Sequence, residues 1–295
     1  MTPPGRGGDH GNVELRSERP AIEAKRPTDP WIAGDRYEPY VGRWSRRVAA
    51  VFLDWLDVGA GRDWLDVGCG TGALAGAIAA KTDPRSVLGV EPSPGFVAYA
   101  RARLADPRVR IESGDAQSLP LADASVDVAV AGLVLNFVPQ PERAVTEMAR
   151  ATRPGGTVAA YVWDYAEGMS LMRLFWDAAV ALDAAAQPLD EGLRFALCRP
   201  DPLARLFESA ALRDVEVRPI DVATDFTDFD DYWSPFLGGQ GPAPGYVASL
   251  DDRARTQLRE RLRTRLPVDA DGSIRLVARA WAVRGRRTAV EAPTR

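Results

Sequence analysis

The sequence predicts a doubly wound α/β fold: a mostly parallel, seven-stranded sheet with an inserted cap of helices and loops. Two observations carry this prediction. Short apolar strands alternate with helical stretches through the first half of the chain. The first of these strands, in Trp64-Leu-Asp-Val-Gly-Cys-Gly-Thr-Gly72, breaks directly into a glycine loop that opens a helix. At the carboxyl end of a parallel strand, such a loop is a nucleotide-type site.

Trp64, Leu65 and Val67 supply the apolar strand positions, and Gly68, Gly70 and Gly72 let the backbone turn tightly and approach a ligand. Leu74, Ala75, Ile78 and Ala79 follow at helical spacing, so free helix N–H groups face the same ligand. Gly68-x-Gly70-x-x-Ala73 also satisfies the Gly/Ala dinucleotide fingerprint, which leaves a nicotinamide or flavin reading open. A purely structural strand–turn–helix is the other alternative. Asp66 weighs against both. A carboxylate near the end of a buried strand is costly unless a cation or hydrogen-bond donor meets it. A pyrophosphate would be repelled there and an ammonium welcomed.

Ser86–Glu91 is a second apolar strand, ending in an acid placed to hold ribose hydroxyls by two charge-assisted hydrogen bonds. Nicotinamide enzymes use the same device, so Glu91 points to a ribose without choosing the nucleotide. Ser93 caps the next helix and Pro94 starts it. Val109–Ser113 forms a third strand, followed by Gly114-Asp-Ala-Gln-Ser-Leu-Pro120. An Asp followed by Ala at a strand end can accept from an adenine amino group and donate a backbone N–H to the ring. Residues 125–131 give a fourth strand, and Arg153-Pro-Gly-Gly156 turns a helix into a fifth, 157–162.

The succession Leu65-Asp-Val-Gly-Cys-Gly-Thr-Gly72, Val90-Glu-Pro-Ser93, Gly114-Asp-Ala-Gln-Ser-Leu-Pro120, Asp127-Val-Ala-Val130 and Arg153-Pro-Gly-Gly156 resembles the class I S-adenosylmethionine-dependent methyltransferases. Within these it is most similar to the small-molecule branch that includes the ubiquinone and menaquinone C-methyltransferases. The resemblance covers residues 37–165 well and the remainder by topology more than by motif. It implies S-adenosylmethionine as cofactor, with Asp66 near the methionine ammonium through water or the loop backbone. Gly68, Gly70 and Gly72 would lie against the methionine and ribose. Glu91 would take the ribose hydroxyls with Pro92 beside the adenine, and Asp115 and Ala116 would read the adenine edge. Gly132 and Leu133 fall where the family's backbone passes under the sulfonium. Tyr40, in Tyr37-Glu-Pro-Tyr40-Val-Gly-Arg43-Trp44, lies where relatives fold an N-terminal segment over the cofactor. Packing of the first helix onto the sheet is its other reading.

Composition fits an enzyme of this kind. The 295 residues are ample for one α/β domain with a cap and too few for two full enzymatic domains. A net charge of −4 with no basic face makes a small molecule the expected partner and nucleic acid a poor one. Arg253, Arg255, Arg259, Arg261, Arg263 and Arg265 share a helix with Ala254, Leu258, Leu262 and Leu266, which mark its buried stripe. A solvated face is the reading there, with contact to an acidic substrate as the alternative. Cys69 and Cys198 are the only cysteines, and with no secretory start they point to a reducing cytoplasm. Cys69 reads as a small residue packed in a tight loop and not as a nucleophile. No apolar run reaches membrane-spanning length, so no membrane partner is expected, and no metal site either. Residues 1–30, with five prolines and four glycines, should be a disordered tail. The single histidine, His10, falls in it, which leaves no histidine base for the folded body.

The expected organisation is a tail at 1–30, a cofactor-binding core at 37–165, a cap insertion at 166–200 and the rest of the fold at 201–285. A first helix spans about 43–57, with Val48, Val51, Phe52, Trp55 and Leu56 on one face. Leu171, Leu174, Phe175, Ala178 and Leu182 describe a helix that the core does not require. Asp201-Pro202 caps another, leading into a strand at 215–220, and residues 274–282 suit a final edge strand. The segment between, 222–272, should form most of a substrate cover. Within it Asp228-Phe-Asp-Asp-Tyr-Trp233 and Gly238-Gly-Gln-Gly-Pro-Ala-Pro-Gly-Tyr246 read as a lid that excludes water.

Asn136, Phe137, Trp163, Asp164, Tyr165, Tyr232 and Trp233 are expected to wall the substrate pocket. A sulfonium already carries a neutral leaving group, so aligning the nucleophile is the main task. No catalytic residue is assigned, and Asp164, Tyr165 and Asp231 are the candidates for a base where one is needed. The expected function is methyl transfer to a small molecule. The alternatives are a non-catalytic S-adenosylmethionine-binding regulator or partner subunit and, third, an NAD(P)-dependent oxidoreductase.

Overall fold

The computed structural model describes, besides Met1, residues 42–238 and 241–288. The expected tail and Tyr40 lie outside the described residues. Helix α1 (Arg43–Leu56) carries Trp44, Val48, Phe52 and Leu56 at four-residue spacing, and all four are buried. Val51, expected on that face, points outward instead, one residue and so about 100° off the stripe at Phe52.

The sheet has seven strands: β1 (Asp63–Val67), β2 (Ser86–Glu91), β3 (Val109–Ser113), β4 (Val126–Gly132), β5 (Thr152–Trp163), β6 (Leu212–Phe226) and β7 (Ile274–Arg287). Their spatial order is β3-β2-β1-β4-β5-β7-β6. The first five pair in parallel, and β7 runs antiparallel to both neighbours. The order reverses between β1 and β4, so the crevice beyond their carboxyl ends is the natural ligand position. Helices α2 (Ala73–Lys81), α3 (Pro94–Arg103) and α4 (Pro141–Ala151) make the crossovers. The opposite end of the sheet is pinned by charge. Arg153 pairs with Asp63 at 3.1 Å and with Asp127 at 2.9 Å, and the Arg85 guanidinium holds the Asp63 carboxyl down at about 2.

Four expectations about strands need correction. Arg153-Pro-Gly-Gly156 is not a turn before β5 but a bulge inside it: Thr152 pairs with Val126, and the ladder resumes at Thr157 with Val128. The strand expected at 215–220 runs from 212 to 226, and the one expected at 274–282 runs to 287. It is also β6, not β7, that forms the edge. The outer strand carries charges at Arg213, Glu216, Arg218 and Asp221 and a proline at 219, all features that suit an unpaired edge. β7 buries Ile274, Ala278, Ala280, Ala282 and Val283 in the sheet interior.

After α5 (Ser170–Leu182) and the short α6 (Glu191–Arg194), α7 (Pro200–Ser209) packs on β6, β7 and α4. The cap is built from α5 and α6 together with α8 (Phe229–Trp233), α9 (Pro242–Ser249) and α10 (Asp252–Arg265). Asp228 and Asp251 accept the Asp231 and Ala254 amides and so cap α8 and α10. The arginine helix behaves as a solvated face: Leu258 and Leu262 are buried, while Arg255 and Arg259 pair with Asp252 and Asp230.

The expected lid is largely packed helix. Residues 242–249 form α9, Phe236 stacks on Phe175 at 4.5 Å, and Tyr246 lies 5.8 Å from Trp176. Tyr232 is fully buried, with its ring 5.5 Å from Phe236 and its hydroxyl donating to the Leu171 carbonyl at 3.2 Å. Tyr232→Phe is expected to lose about 1 kcal/mol of stability, the net value of one buried hydrogen bond. Urea unfolding measures this, and a midpoint within error of the wild type would remove that bond from the account.

Candidate cofactor and acceptor site

A cavity of about 340 Å³ opens beyond the carboxyl ends of β1, β2 and β4. The glycine loop forms its floor. Gly68 has φ +68°, and a Cβ there would lie 2.5 Å from Val134, so both backbone and space require glycine. At Gly70 a Cβ would meet nothing within 4 Å, which leaves the loop backbone open to the cavity that it lines.

Asp66, at the end of β1, is buried to 1 % exposure, and neither carboxylate oxygen has a hydrogen-bond partner. Burial pushes its pKa up to about 7, with a further push from Glu91; the Ala75 amide pulls the other way without closing a hydrogen bond. A buried, unpartnered carboxylate beside a cavity calls for a cation. Glu91, at the end of β2, accepts the Gly70 amide at 3.0 Å and the Ser93 amide at 2.9 Å. It thereby ties the strand end to the loop, while burial raises its pKa. Ser93 occupies the N-cap of α3, but its hydroxyl makes no capping bond. Cys69 is buried, and its thiol is pushed far up by burial and by the charges of Asp66 and Glu91, so it is no nucleophile.

Asp115 is exposed and accepts the Gln117 amide at 2.8 Å, beside a buried Ala116. Leu133 has φ +61°, a strained conformation for a branched side chain, held by its N–H bond to the Tyr161 carbonyl at 2.8 Å. Asp66, Gly68, Gly70, Glu91, Pro92, Asp115, Ala116, Gly132 and Leu133 all line the cavity, and Gly72 does not. Gly72 instead starts α2, where a Cβ would strike Leu104.

Of the residues expected to wall a substrate, Phe137, Trp163 and Tyr165 line the cavity. Asn136, Asp164, Tyr232 and Trp233 do not. Asp164 faces the β7 side, where it accepts the Glu167 amide at 3.1 Å and approaches Arg279 at 4.0 Å. Tyr232 and Trp233 are absorbed by the cap core just described. Asp231 is likewise committed, to Arg43 at 2.9 Å and to the Thr227 amide at 3.0 Å. Of the three candidate bases, only Tyr165 reaches the cavity.

Sequence reasoning missed Tyr161, Ser45 and Phe96, which also line the cavity. Tyr161 pairs with Gly132 across β4 and β5, and a Cβ on Gly132 would sit 2.6 Å from its hydroxyl. Its ring packs on Phe52 of α1 at 4.8 Å. Within an apolar strand it reads as core; only its register opposite a glycine distinguishes it.

Residues 65–160 match the family model described as a methyltransferase domain. Malonyl-[acyl-carrier protein] O-methyltransferase from Pectobacterium atrosepticum is 33% identical over 116 residues, covering 35% of this chain and 45% of that protein. The chain spans less than half the length of the curated relatives it matches, from 31% to 49% of each. Among solved structures, Haemonchus contortus phosphoethanolamine N-methyltransferase 2, in complex with S-adenosyl-L-methionine, superimposes with a TM-score of 0.52 at 17% identity, covering 82% of this chain and 52% of that one. The [4+2]-cyclase SpnF superimposes with a TM-score of 0.50 at 22% identity, covering 83% and 82%. Residues 65–160 thus match a methyltransferase domain model, and the sheet order with the structural superpositions gives the chain the class I methyltransferase fold.

Proposed function

We propose that this protein binds S-adenosylmethionine in the β1–β4 crevice and transfers its methyl group to a small-molecule acceptor. One observation carries the proposal: the buried, unpartnered Asp66 carboxylate beside a cavity whose glycine floor is open. In this reading Asp66 compensates the methionine ammonium through water or the loop backbone. Gly68 and Gly70 meet the methionine and ribose, with Gly72 setting the loop into α2. Glu91 receives the ribose hydroxyls on the lone pairs left by Gly70 and Ser93, beside Pro92 and the adenine. Asp115 and Ala116 read the adenine edge, and Gly132 and Leu133 pass under the sulfonium. The bound cofactor would supply an activated methyl with a neutral leaving group, which makes alignment of the acceptor the protein's main contribution. Asp164 and Asp231, two of the three candidate bases, are committed elsewhere.

The purified protein is expected to bind S-adenosylhomocysteine and to ignore NAD and NADP. Calorimetry showing the reverse would sink the assignment. Asp66 adds a pH signature. Its carboxyl sits at about 7 without a cation, so binding an ammonium below that pH must release a proton. Affinity should therefore fall on acidification from about pH 7 to about pH 5.5, approaching tenfold per unit in the limit, and Asp66→Asn should flatten the slope.

A second reading is kept because of one structural neighbour. SpnF is named as a [4+2]-cyclase, so this fold also serves reactions other than methyl transfer. On that reading the chain would bind the cofactor without using its methyl, as a catalyst of another kind or as a regulator or partner subunit. Transfer of labelled methyl from S-adenosylmethionine to an acceptor would decide for the first reading.

A further inference from the structure

We propose that the acceptor is an uncharged, planar molecule seated against Phe137, Tyr161, Trp163 and Tyr165, and that acceptors with a phosphate or free carboxylate near the reacting atom are rejected. This names the acceptor class of the site proposed above and rests on that reading.

The aromatic wall has a simple origin. Tyr161 and Trp163 are alternate residues of β5, and Tyr165 follows two positions beyond, so all three come to the same end of the strand. All three line the cavity, at 2 %, 2 % and 7 % exposure. Phe137 joins them from the short 3₁₀ turn Leu135–Phe137 after β4. Phe195, from the cap, braces this wall from behind. Its ring meets Phe137 edge-on at 5.2 Å and Tyr165 at 5.5 Å. Rings held in this way present a fixed apolar surface, which favours a flat, rigid partner over a flexible chain.

Charge completes the argument. Asp66, Glu91 and Asp115 bring carboxylates to the cavity, while among the described residues no lysine, arginine or histidine lines it. Nearby arginines pair with acids outside the lining: Arg173 of α5 with Asp190, Arg279 of β7 with Asp221, and Arg43 of α1 with Asp231. Arg194 lies over the Phe195 ring at 5.2 Å and is not part of the lining. An anionic acceptor would therefore be desolvated against like charge with no counterion in the wall. A phosphate-bearing acceptor, such as the one in the nematode enzyme's name, would need a cation that this wall lacks.

The test uses the full chain and three probes of one shape: 1-naphthol, 1-naphthoate and 1-naphthyl phosphate. Calorimetry first establishes S-adenosylhomocysteine binding; if that fails, the cofactor reading falls and not merely the acceptor class. Titrated into the loaded protein, 1-naphthol should bind saturably, and both anions should bind at least about tenfold more weakly. Phe137→Leu, which keeps an apolar side chain and removes the ring, should weaken 1-naphthol by about fivefold or more while the S-adenosylhomocysteine constant stays within about twofold. Either anion binding as tightly as the naphthol overturns the proposal, as does a naphthol that fails to bind. Equal loss of both ligands in Phe137→Leu would also overturn it, by returning Phe137 to the cofactor wall.

Discussion

Glu91→Ala is expected to weaken S-adenosylhomocysteine binding by about 3 kcal/mol, roughly a hundredfold in the dissociation constant. Two contributions add. Two charge-assisted hydrogen bonds to one ribose account for about 1.5–3 kcal/mol. The second contribution comes from the loop itself, because the same carboxylate accepts the Gly70 and Ser93 amides. Without it, two half-buried donors lose their partner and the loop must be ordered by the ligand. Glu91→Gln is the milder variant. It keeps the side-chain volume but only one acceptor oxygen, so one of the Gly70 and Ser93 bonds is lost and the loss of affinity should fall between wild type and Glu91→Ala. Calorimetry on both variants, with thermal melts to follow the loop, is the measurement. An unchanged dissociation constant in Glu91→Ala would move the ribose site elsewhere.

The parts of this architecture that could be read from sequence are those fixed within one strand and the turn after it. The limits of β2 and β3 and the glycine loop after β1 follow from local alternation and punctuation. For the same reason nine of the residues singled out as a cofactor site meet at one cavity. The order of β6 and β7 depends on which strand reaches β5 first, a long-range choice. Pro219 was nevertheless a local cue to the edge. Tyr232 and Trp233 show the opposite difficulty. Aromatics beside glycine and proline look the same in a lid and in a cap core, and only burial at 0 % and 5 % tells them apart. Asp231 and Asp164 could not be excluded as bases from sequence either. Their partners, Arg43 and Arg279, are more than a hundred residues away in the chain.

Glu191→Gln is expected to stabilise the protein in alkaline solution and to do little in acid. Glu191 opens α6 and is 2 % exposed, and its carboxyl accepts from the Trp176 indole N–H. Burial pushes its pKa from 4.5 up to about 8; the indole bond and Arg194 pull it down, and Asp190 adds to the push. The folded value is raised above the unfolded one, so the unfolded chain loses its proton first as pH rises. The stability that the protonated form contributes is therefore complete below about 4.5 and lost as pH climbs toward and through about 8. Glutamine keeps an acceptor for Trp176 and cannot ionise. The two proteins should unfold alike near pH 5, and the variant should be more stable on the order of 3 kcal/mol near pH 8. Denaturant melts across that range provide the check, and a gap that stays constant or shrinks with pH would contradict the assignment. The effect also reaches the cavity wall. Gly192 packs so closely on the Tyr165 carbonyl that a Cβ there would lie 2.8 Å from it, and Phe195 follows within the next turn. Ionising Glu191 is therefore expected to disturb the segment whose Phe195 braces Phe137 and Tyr165. Binding of 1-naphthol to the loaded protein should accordingly fade above about pH 8 in the wild type and persist in Glu191→Gln.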